Sequence, residues 1–241
     1  MKSLDDIAQA LQGFDPQALS VDKAQEFIYH LVQDKPAIST EELPLMQALG
    51  RTVAQDIISP INVPAHDNSA MDGFAFDGKQ LGSAALTLRV VGTALAGKVW
   101  QGSVQSGECI KIMTGAVMPA GLDTVIAQEL ATVQSSGDKT MVEIPAGIVQ
   151  VGDNRRKAGE DLQRNLPALR AGSTLNPAAL GLIASLGIAT VKVYRQLRVA
   201  YFSTGDEVLS FGDAMREGAV YDSNRFTVFG LLTRMGCQVV D

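Results

Sequence analysis

CIKIMTGAVMPAGLDTVIAQELATVQSSGDKTMVEI, residues 109–144, decides how the middle of this chain folds. Three short runs, Cys109–Met113, Thr124–Gln128 and Thr140–Ile144, are rich in β-forming residues and are divided by Gly-containing turns. Ser136-Gly137-Asp138 has the composition of a hairpin loop. Leu86–Val91 adds a fourth run upstream, and Pro60 and Pro64 mark where the β-rich region opens. Even spacing of short strands and turns predicts a small barrel or sandwich.

Reading outward toward the N-terminus, a strand near Leu43–Leu45, a brief helix ending at Gly50 and a strand at Thr52–Ile58 are expected. Ser20 has the chemistry of a helix N-cap, Asp22 sits in the first turn, and Ala24, Phe27, Ile28, Leu31 and Val32 recur at helical spacing until Lys35-Pro36. Residues 1–19, with Gly13 and Pro16, read as a loosely structured extension.

Toward the C-terminus, Asn176-Pro177 through Gly187 predicts a helix with an Asn cap, Pro at its first position and Gly after its last turn. A new domain is expected near Arg195. Leu197–Phe202 reads as a buried strand, Asp222 or Ser223 caps a helix carrying Phe226, Phe229, Leu232 and Met235, and Gly236 ends it before Cys237–Val240 resumes β. That is one βαβ unit. An open parallel sheet needs more strands, so the sequence reads as the front part of a longer protein.

The fold class is therefore multidomain α+β: an extended mixed α/β segment, a β-rich barrel-like insert domain and the start of a three-layer α/β domain. The expected divisions are 1–19, a helix at 20–34, 35–58 plus 166–195, 59–165 and 196–241.

Composition excludes several function classes. An apolar fraction of 46% is ample for buried cores, and a formal charge of -6 argues against a nucleic-acid surface, whose binding rests on Lys and Arg. The apolar runs stop well short of the roughly 20 residues a membrane helix needs, and Met1 is not followed by a secretory signal pattern. A cytoplasmic protein is expected. Cys109 and Cys237 lie far apart with no CxxC, and His30 and His66 are isolated, so neither zinc nor a disulfide framework is indicated. Both cysteines are expected to be buried.

Four polar clusters are candidates for chemistry. Asp67-Asn68-Ser69-Ala70-Met71-Asp72-Gly73 offers two carboxylates, an amide and a hydroxyl, oxygen donors suited to magnesium, although the same residues make turns. Met113-Thr114-Gly115-Ala116 ends a strand where a hydroxyl and bare amides can meet a phosphate. Arg155-Arg156-Lys157 concentrates cations able to hold the oxygens of an anion such as phosphate beside Glu160 and Asp161, and a solvated charged loop explains the same run. Ser203-Thr204-Gly205-Asp206-Glu207 follows a strand's carboxyl end, where open α/β sheets bind ligands, and Asp222 caps the next helix. There is no nucleophile and base pair, P-loop or GxGxxG.

Taken in order, SPINVPAHDNSAMDGFA, GECIKIMTGAVMPAGLDTVIAQE, NRRKAGED, ALGLIASLGIATVKVYR, VAYFSTGDE and YDSN resemble the MoeA-type molybdopterin molybdenumtransferases, a family related to gephyrin's E domain. The resemblance runs from about Ser20 to Asp241. It implies an enzyme that takes adenylylated molybdopterin and molybdate, releases AMP with magnesium and yields molybdenum cofactor. It implies catalytic roles for Asp72, Thr114, Asp161 and Glu207, with Asp72, Asp161 and Glu207 as magnesium ligands. Asn68, Ser69, Arg155, Arg156, Ser203, Thr204 and Asp222 are the expected substrate-binding residues.

The resemblance further implies an elongated homodimer, with 35–58 and 166–195 linking protomers and the 20–34 helix packing on the α/β domain. Contact with the molybdopterin adenylyltransferase is a further expectation. The family's later GGVSVG and PGNP loops and its C-terminal β domain do not occur here, so the 241-residue chain is expected to be inactive alone. A non-catalytic scaffold or partner-binding module of the same fold is the alternative, as gephyrin-like proteins suggest.

Overall fold

The structure, a computed structural model, describes residues 20–33 and 39–240. The expected extension at 1–19 lies outside the described residues, as do 34–38. In chain order the main elements are α1 (Val21–Gln33), β1 (Thr40–Pro44), β2 (Ile57–Ile58), β3 (Asn68–Ser69), β4 (Gly73–Phe76), β5 (Leu86–Ala94) and β6 (Glu108–Ile112). There follow β7 (Thr124–Ala127), β8 (Thr132–Ser136), β9 (Lys139–Ile144), β10 (Arg155–Arg156), β11 (Pro167–Leu169) and α2 (Pro177–Ser185). The last are β12 (Thr190–Tyr194), β13 (Arg198–Ala200), β14 (Val208–Leu209), β15 (Val220–Tyr221), α3 (Ser223–Arg234) and β16 (Gln238–Val240). These divide into two compact units, one running Gln55–Ala189 and the other made of the residues up to Ala54 and from Thr190 onward.

The Gln55–Ala189 unit is built on one six-stranded mixed sheet in the order β7-β4-β6-β5-β9-β8. Only β5 and β6 run parallel. Alternation along each strand sends Phe74, Phe76, Cys109 and Ile126 into one apolar layer, and Ala75, Ile110, Ile112 and Val125 into another. Both faces are thus covered, and β4 and β7 are buried at every residue. Such strands read as continuous apolar runs, which is how the sequence revealed β7; β4 had no counterpart among the expected strands.

Two glycines make the sheet possible. A Cβ on Gly73 would lie 1.9 Å from the Ile126 carbonyl oxygen, so only a bare Cα lets β4 meet β7. In β5 the indole of Trp100 lies over Gly92, where a Cβ would sit 2.6 Å from Nε1, and the β5–β6 register shifts between Val90 and Thr93. The predicted hairpin is present: Ser136 pairs with Lys139 across Gly137-Asp138. Its strand β8 is exposed throughout and had no counterpart in the sequence reading. Helix α2 begins as expected, with the Asn176 side chain accepting from the Ala179 N–H, and Gly187 follows it at φ +74°.

In the other unit β1 pairs antiparallel with β12, and Val53 bridges to Val193. The single strand expected at Thr52–Ile58 does not form, because the chain changes partner: Val53 belongs to β12, whereas β2 pairs with β11 in the β-rich unit. β13 and β16 lie parallel around α3, giving the expected βαβ arrangement. Between β13 and α3 the sequence showed only a loop, yet β14 and β15 form a further parallel pair there. Phe226 and Phe229 on α3 are 59% and 53% exposed. Cys109 is buried as expected, while Cys237 is only half-buried. Among the described residues no helix is long and apolar enough to cross a membrane.

Candidate functional site

The densest polar loop sits at the junction of three chain segments in the β-rich unit. β3 is only two residues long, but it is flanked on both sides. Along one edge it pairs with β10, setting Arg155 opposite Ser69 and Arg156 opposite Asn68. Along the other, the Ser69 N–H donates to the Ala116 carbonyl at 3.0 Å, Gly115 N–H to Ser69 at 2.8 Å, and Met118 N–H to Asp67 at 2.9 Å. DNSAMDG therefore threads between MTGA and NRRKAGED, three strings far apart in the chain. Gly115 permits the return of the MTGA turn at φ +79°.

Within this junction Asp72 and Thr114 are joined twice. The Thr114 hydroxyl and its own backbone N–H both donate to Asp72 Oδ1 at 2.7 Å. These two bonds, hydroxyl first, hold the Asp72 carboxyl below the usual aspartate range and keep it ionised. Oδ2 carries neither bond and remains available to a cation. Ser69 is buried, and its hydroxyl is spent locally, donating to the Met71 carbonyl at 2.6 Å while accepting the Met71 N–H at 3.2 Å. Its observed part is to shape the loop.

The basic segment is more divided than its sequence suggests. Consecutive strand residues point to opposite faces, so Arg155 shares the inward face of Ser69 and Arg156 the face of Asn68. Arg156 Nε donates to Glu160 Oε1 and an Arg156 terminal nitrogen to Asp161 Oδ2, both at 2.5 Å. Glu160 Oε2 also accepts the Lys157 N–H at 2.8 Å. The Arg156 guanidinium, helped by that amide, pulls the Glu160 carboxyl below the usual range, and Glu160 and then Asp161 push the Arg156 pKa up. Arg155 has a buried Nε without a hydrogen-bond partner, 3.8 Å from Asp67 Oδ2. Asn154 turns the chain into this segment at φ +55°, with its side-chain amide donating to the Val125 carbonyl at 2.9 Å.

The remaining expected residues lie in the other unit, beyond the carboxyl end of β13. Ser203, Gly205, Asp222 and Arg225 line a cavity of about 340 Å³ together with Tyr201, Phe211 and Phe226. The Ser203 hydroxyl donates to the Tyr201 oxygen at 3.3 Å, and Asp222 Oδ1 caps α3 by accepting the Arg225 N–H at 3.0 Å. Glu207 folds its carboxylate over Gly205, where a Cβ would be 2.7 Å from both oxygens. Thr204 is exposed beside it.

The structure thus gathers Asn68, Ser69, Asp72, Thr114, Arg155, Arg156 and Asp161 in one unit, and Ser203, Thr204, Glu207 and Asp222 in the other. Sequence reasoning passed over Asp67, Glu160 and Asn154 as individual residues. The first two were visible only as members of a charged run, and Asn154 had no signal beyond a polar residue before Arg155. Among the described residues no three His, Cys, Asp or Glu side chains are grouped to hold a metal.

A β-rich unit that presents polar loops at one junction, and a second unit with a cavity past its strand ends, define a multidomain α+β protein whose candidate sites sit on loops. The chain belongs to the MoeA N-terminal region (domain I and II) family, whose profile matches residues 19–187. It is similar to the molybdopterin molybdenumtransferase of Haemophilus influenzae, 46% identical over 84% of this chain and 49% of that protein. The molybdopterin molybdenumtransferase of Synechococcus elongatus is 33% identical over 92% of this chain and 55% of its own length. The chain spans about half the length of the curated relatives it matches. A crystal structure of the molybdopterin biosynthesis MoeA protein from Pyrococcus horikoshii superposes with a TM-score of 0.78 at 30% identity, covering 90% of this chain and 57% of that one.

Proposed function

We propose that this chain serves molybdenum cofactor biosynthesis as a molybdopterin molybdenumtransferase, acting on adenylylated molybdopterin and molybdate with release of AMP. The observation that carries the reading is the three-loop junction, where an ionised Asp72, the Thr114 hydroxyl and the Arg156 fork are held on one unit. The names of the relatives at 46% and 33% identity support the same reading.

Adenylylated molybdopterin is a phosphate-bearing anion, and AMP departs when its phosphoanhydride breaks. Charge then develops on phosphate oxygens, and a planar guanidinium is the side chain that meets two such oxygens at once. Arg156 can do so after exchanging its Glu160 and Asp161 partners for the substrate. Thr114 keeps Asp72 ionised and fixes the direction of its free oxygen.

The donor chemistry fits magnesium, a hard cation that takes oxygen ligands. Asp72 and Asp161 on the β-rich unit, and Glu207 on the other, are the proposed ligands. Asp72 and Asp161 each keep one carboxylate oxygen outside the hydrogen bonds described. Bound magnesium would neutralise charge on the phosphates. It commonly uses one or two carboxylates with substrate phosphates and water, so a preformed group of three is not required. A cytoplasmic homodimer that receives its substrate from the molybdopterin adenylyltransferase completes the proposal.

The test is AMP release from adenylylated molybdopterin at saturating molybdate, comparing the full-length protein with its Asp72→Asn variant. A drop of at least tenfold is expected. Turnover within about threefold of the parent, under roughly 0.7 kcal/mol of barrier, removes Asp72 from the chemistry.

A further inference from the structure

The two carboxylates of the DNSAMDG string have separate partners, and the difference assigns a role to the one without a function so far. Asp67 Oδ1 accepts the Ala158 N–H at 2.8 Å across 91 residues of chain. Its Oδ2 faces Arg155 Nε at 3.8 Å, and its backbone carbonyl accepts from Met118. One residue therefore touches both segments that flank β3.

The turn that Asp67 grips carries Arg156, Glu160 and Asp161. That turn is docked against the 63–67 segment by the Ala158 bond and by four backbone bonds, Gly159 N–H to Pro64 at 3.0 Å, Asp161 N–H to Val63 at 2.9 Å, Leu162 N–H to Val63 at 3.1 Å and Val63 N–H to Leu162 at 2.8 Å. Four of the five use main-chain carbonyls that any sequence supplies. Within these five bonds Asp67 contributes the side-chain acceptor, and Asn62 Oδ1 adds another just beyond the turn by accepting the Arg164 N–H at 2.8 Å, so Asp67 is where the sequence specifies the docking of the turn itself. A bond from a backbone amide to a carboxylate is also stronger than one to a neutral carbonyl.

We propose that Asp67 is a positioning residue: it fixes the Lys157–Asp161 turn, and through it the Arg156 fork, on the segment that leads into β3. It acts through Arg156 and touches no ligand itself. The inference rests on the proposed function only in taking Arg156 to meet an oxyanion, and the docking can be read independently of any ligand.

Two variants of the chain separate the possibilities. Asp67→Ala removes the acceptor, and Asp67→Asn keeps an amide oxygen that can still accept from Ala158 while losing the charge near Arg155. Residue-resolved hydrogen exchange should show the Ala158 amide exchanging at least tenfold faster in Asp67→Ala, with Glu108–Ile112 and Thr124–Ala127 unchanged. In Asp67→Asn the Ala158 rate should stay within about threefold of the parent. Calorimetric titration with inorganic phosphate should show affinity lowered at least fivefold in Asp67→Ala and largely recovered in Asp67→Asn.

Unchanged Ala158 exchange in Asp67→Ala overturns the assignment. So does loss of protection that spreads through both strands, which would make Asp67 a residue of the fold at large. An Asp67→Asn variant as fast as Asp67→Ala overturns the acceptor role. If the parent chain does not bind phosphate, the oxyanion reading of Arg156 fails, whereas the exchange result still decides the positioning role.

Discussion

Replacing Gly73 by Ala should break the sheet at the point where it delivers Asp72. The new Cβ would lie 1.9 Å from the Ile126 carbonyl oxygen, 2.9 Å from its carbon and 3.1 Å from the Ala127 Cα, all of them backbone atoms. An unstrained carbon–oxygen contact needs about 3.3 Å, so β4 and β7 must separate locally by roughly 1.4 Å. That displacement carries an N–H···O bond beyond its useful range, and β4 is buried on both faces and has no free direction in which to move. Overpacking costs about 1–3 kcal/mol and a disrupted ladder bond about 1 kcal/mol more, so a loss of about 2–4 kcal/mol is expected. Trp100, the single tryptophan of the chain, lies over Gly92 in the same sheet and reports the transition by its fluorescence. Urea unfolding followed at Trp100 should shift its midpoint without a change in slope. Gly181→Ala is the matched control. Gly181 sits in α2 with nothing within 4 Å of its would-be Cβ, so Ala should stabilise by up to about 1 kcal/mol. A Gly73→Ala loss below about 1 kcal/mol would refute the close-approach reasoning.

The hydroxyl of Thr114 supplies one of the two bonds that depress Asp72, so Thr114→Val should move the Asp72 carboxyl back toward 3.8 while Thr114→Ser leaves it low, as carboxyl NMR titration can read. An unmoved Asp72 in the Val variant would show that the backbone N–H suffices. Cys109 is buried, and burial followed by the Glu108 charge pushes its thiol up to about 12, so a thiol reagent should modify only the half-buried Cys237 until the chain is unfolded. Rapid native labelling of Cys109 contradicts the packing. Glu41, Asp72, Glu108 and Glu160 are all held below their ordinary values of 3.8 or 4.5, chiefly by Arg51, by Thr114, by the Gln105 N–H and by Arg156 respectively. A carboxyl depressed in the folded state stabilises above its unfolded value and loses that contribution as pH falls through the folded one. Urea midpoints should thus hold at and above about pH 5 and decline below 4.5; a midpoint flat through acidification would contradict the assignments.

Elements whose signals are local were the ones legible in sequence. Asn176, Pro177 and Gly187 specify a helix start and stop through their own side chains and backbone freedom, and α2 lies where they put it. The runs expected at 86–91, 109–113, 124–128 and 140–144 were readable because each is rich in β-forming residues and bounded by turns, and the strands observed lie within a few residues of them. β8 escaped notice because it is an exposed strand of Thr, Val, Gln and Ser, with no buried face to create a pattern. β14 and β15 are two residues each and exist through pairing with one another, which no window of sequence displays. Val53 and Ile57 looked like one strand because both are buried and β-branched, and nothing local announces that they serve different partners.

The site shows the same boundary at the level of single atoms. Composition located the polar strings, but spacing suggested that the two carboxylates of DNSAMDG would share one ligand and that the adjacent arginines would hold one anion. Pairing β3 with β10 gives each member of these pairs its own neighbours. A two-residue strand has a different neighbour at each end: Asp67 reaches the Ala158 amide 91 positions away, and Asp72 reaches Thr114 at 42. Pleating then sends Arg155 inward toward Asp67, and Arg156 to the face of Asn68 with Glu160 and Asp161. Chemically equal residues thereby acquire different partners: Asp67 the Ala158 amide and Asp72 the Thr114 hydroxyl, Arg155 the neighbourhood of Asp67 and Arg156 the Glu160 and Asp161 carboxylates. Substitutions within a pair should accordingly differ in kind. At Asp67 and Arg155 they should loosen the junction and be read in exchange rates, whereas at Asp72 and Arg156 they should leave the junction closed and be read in turnover.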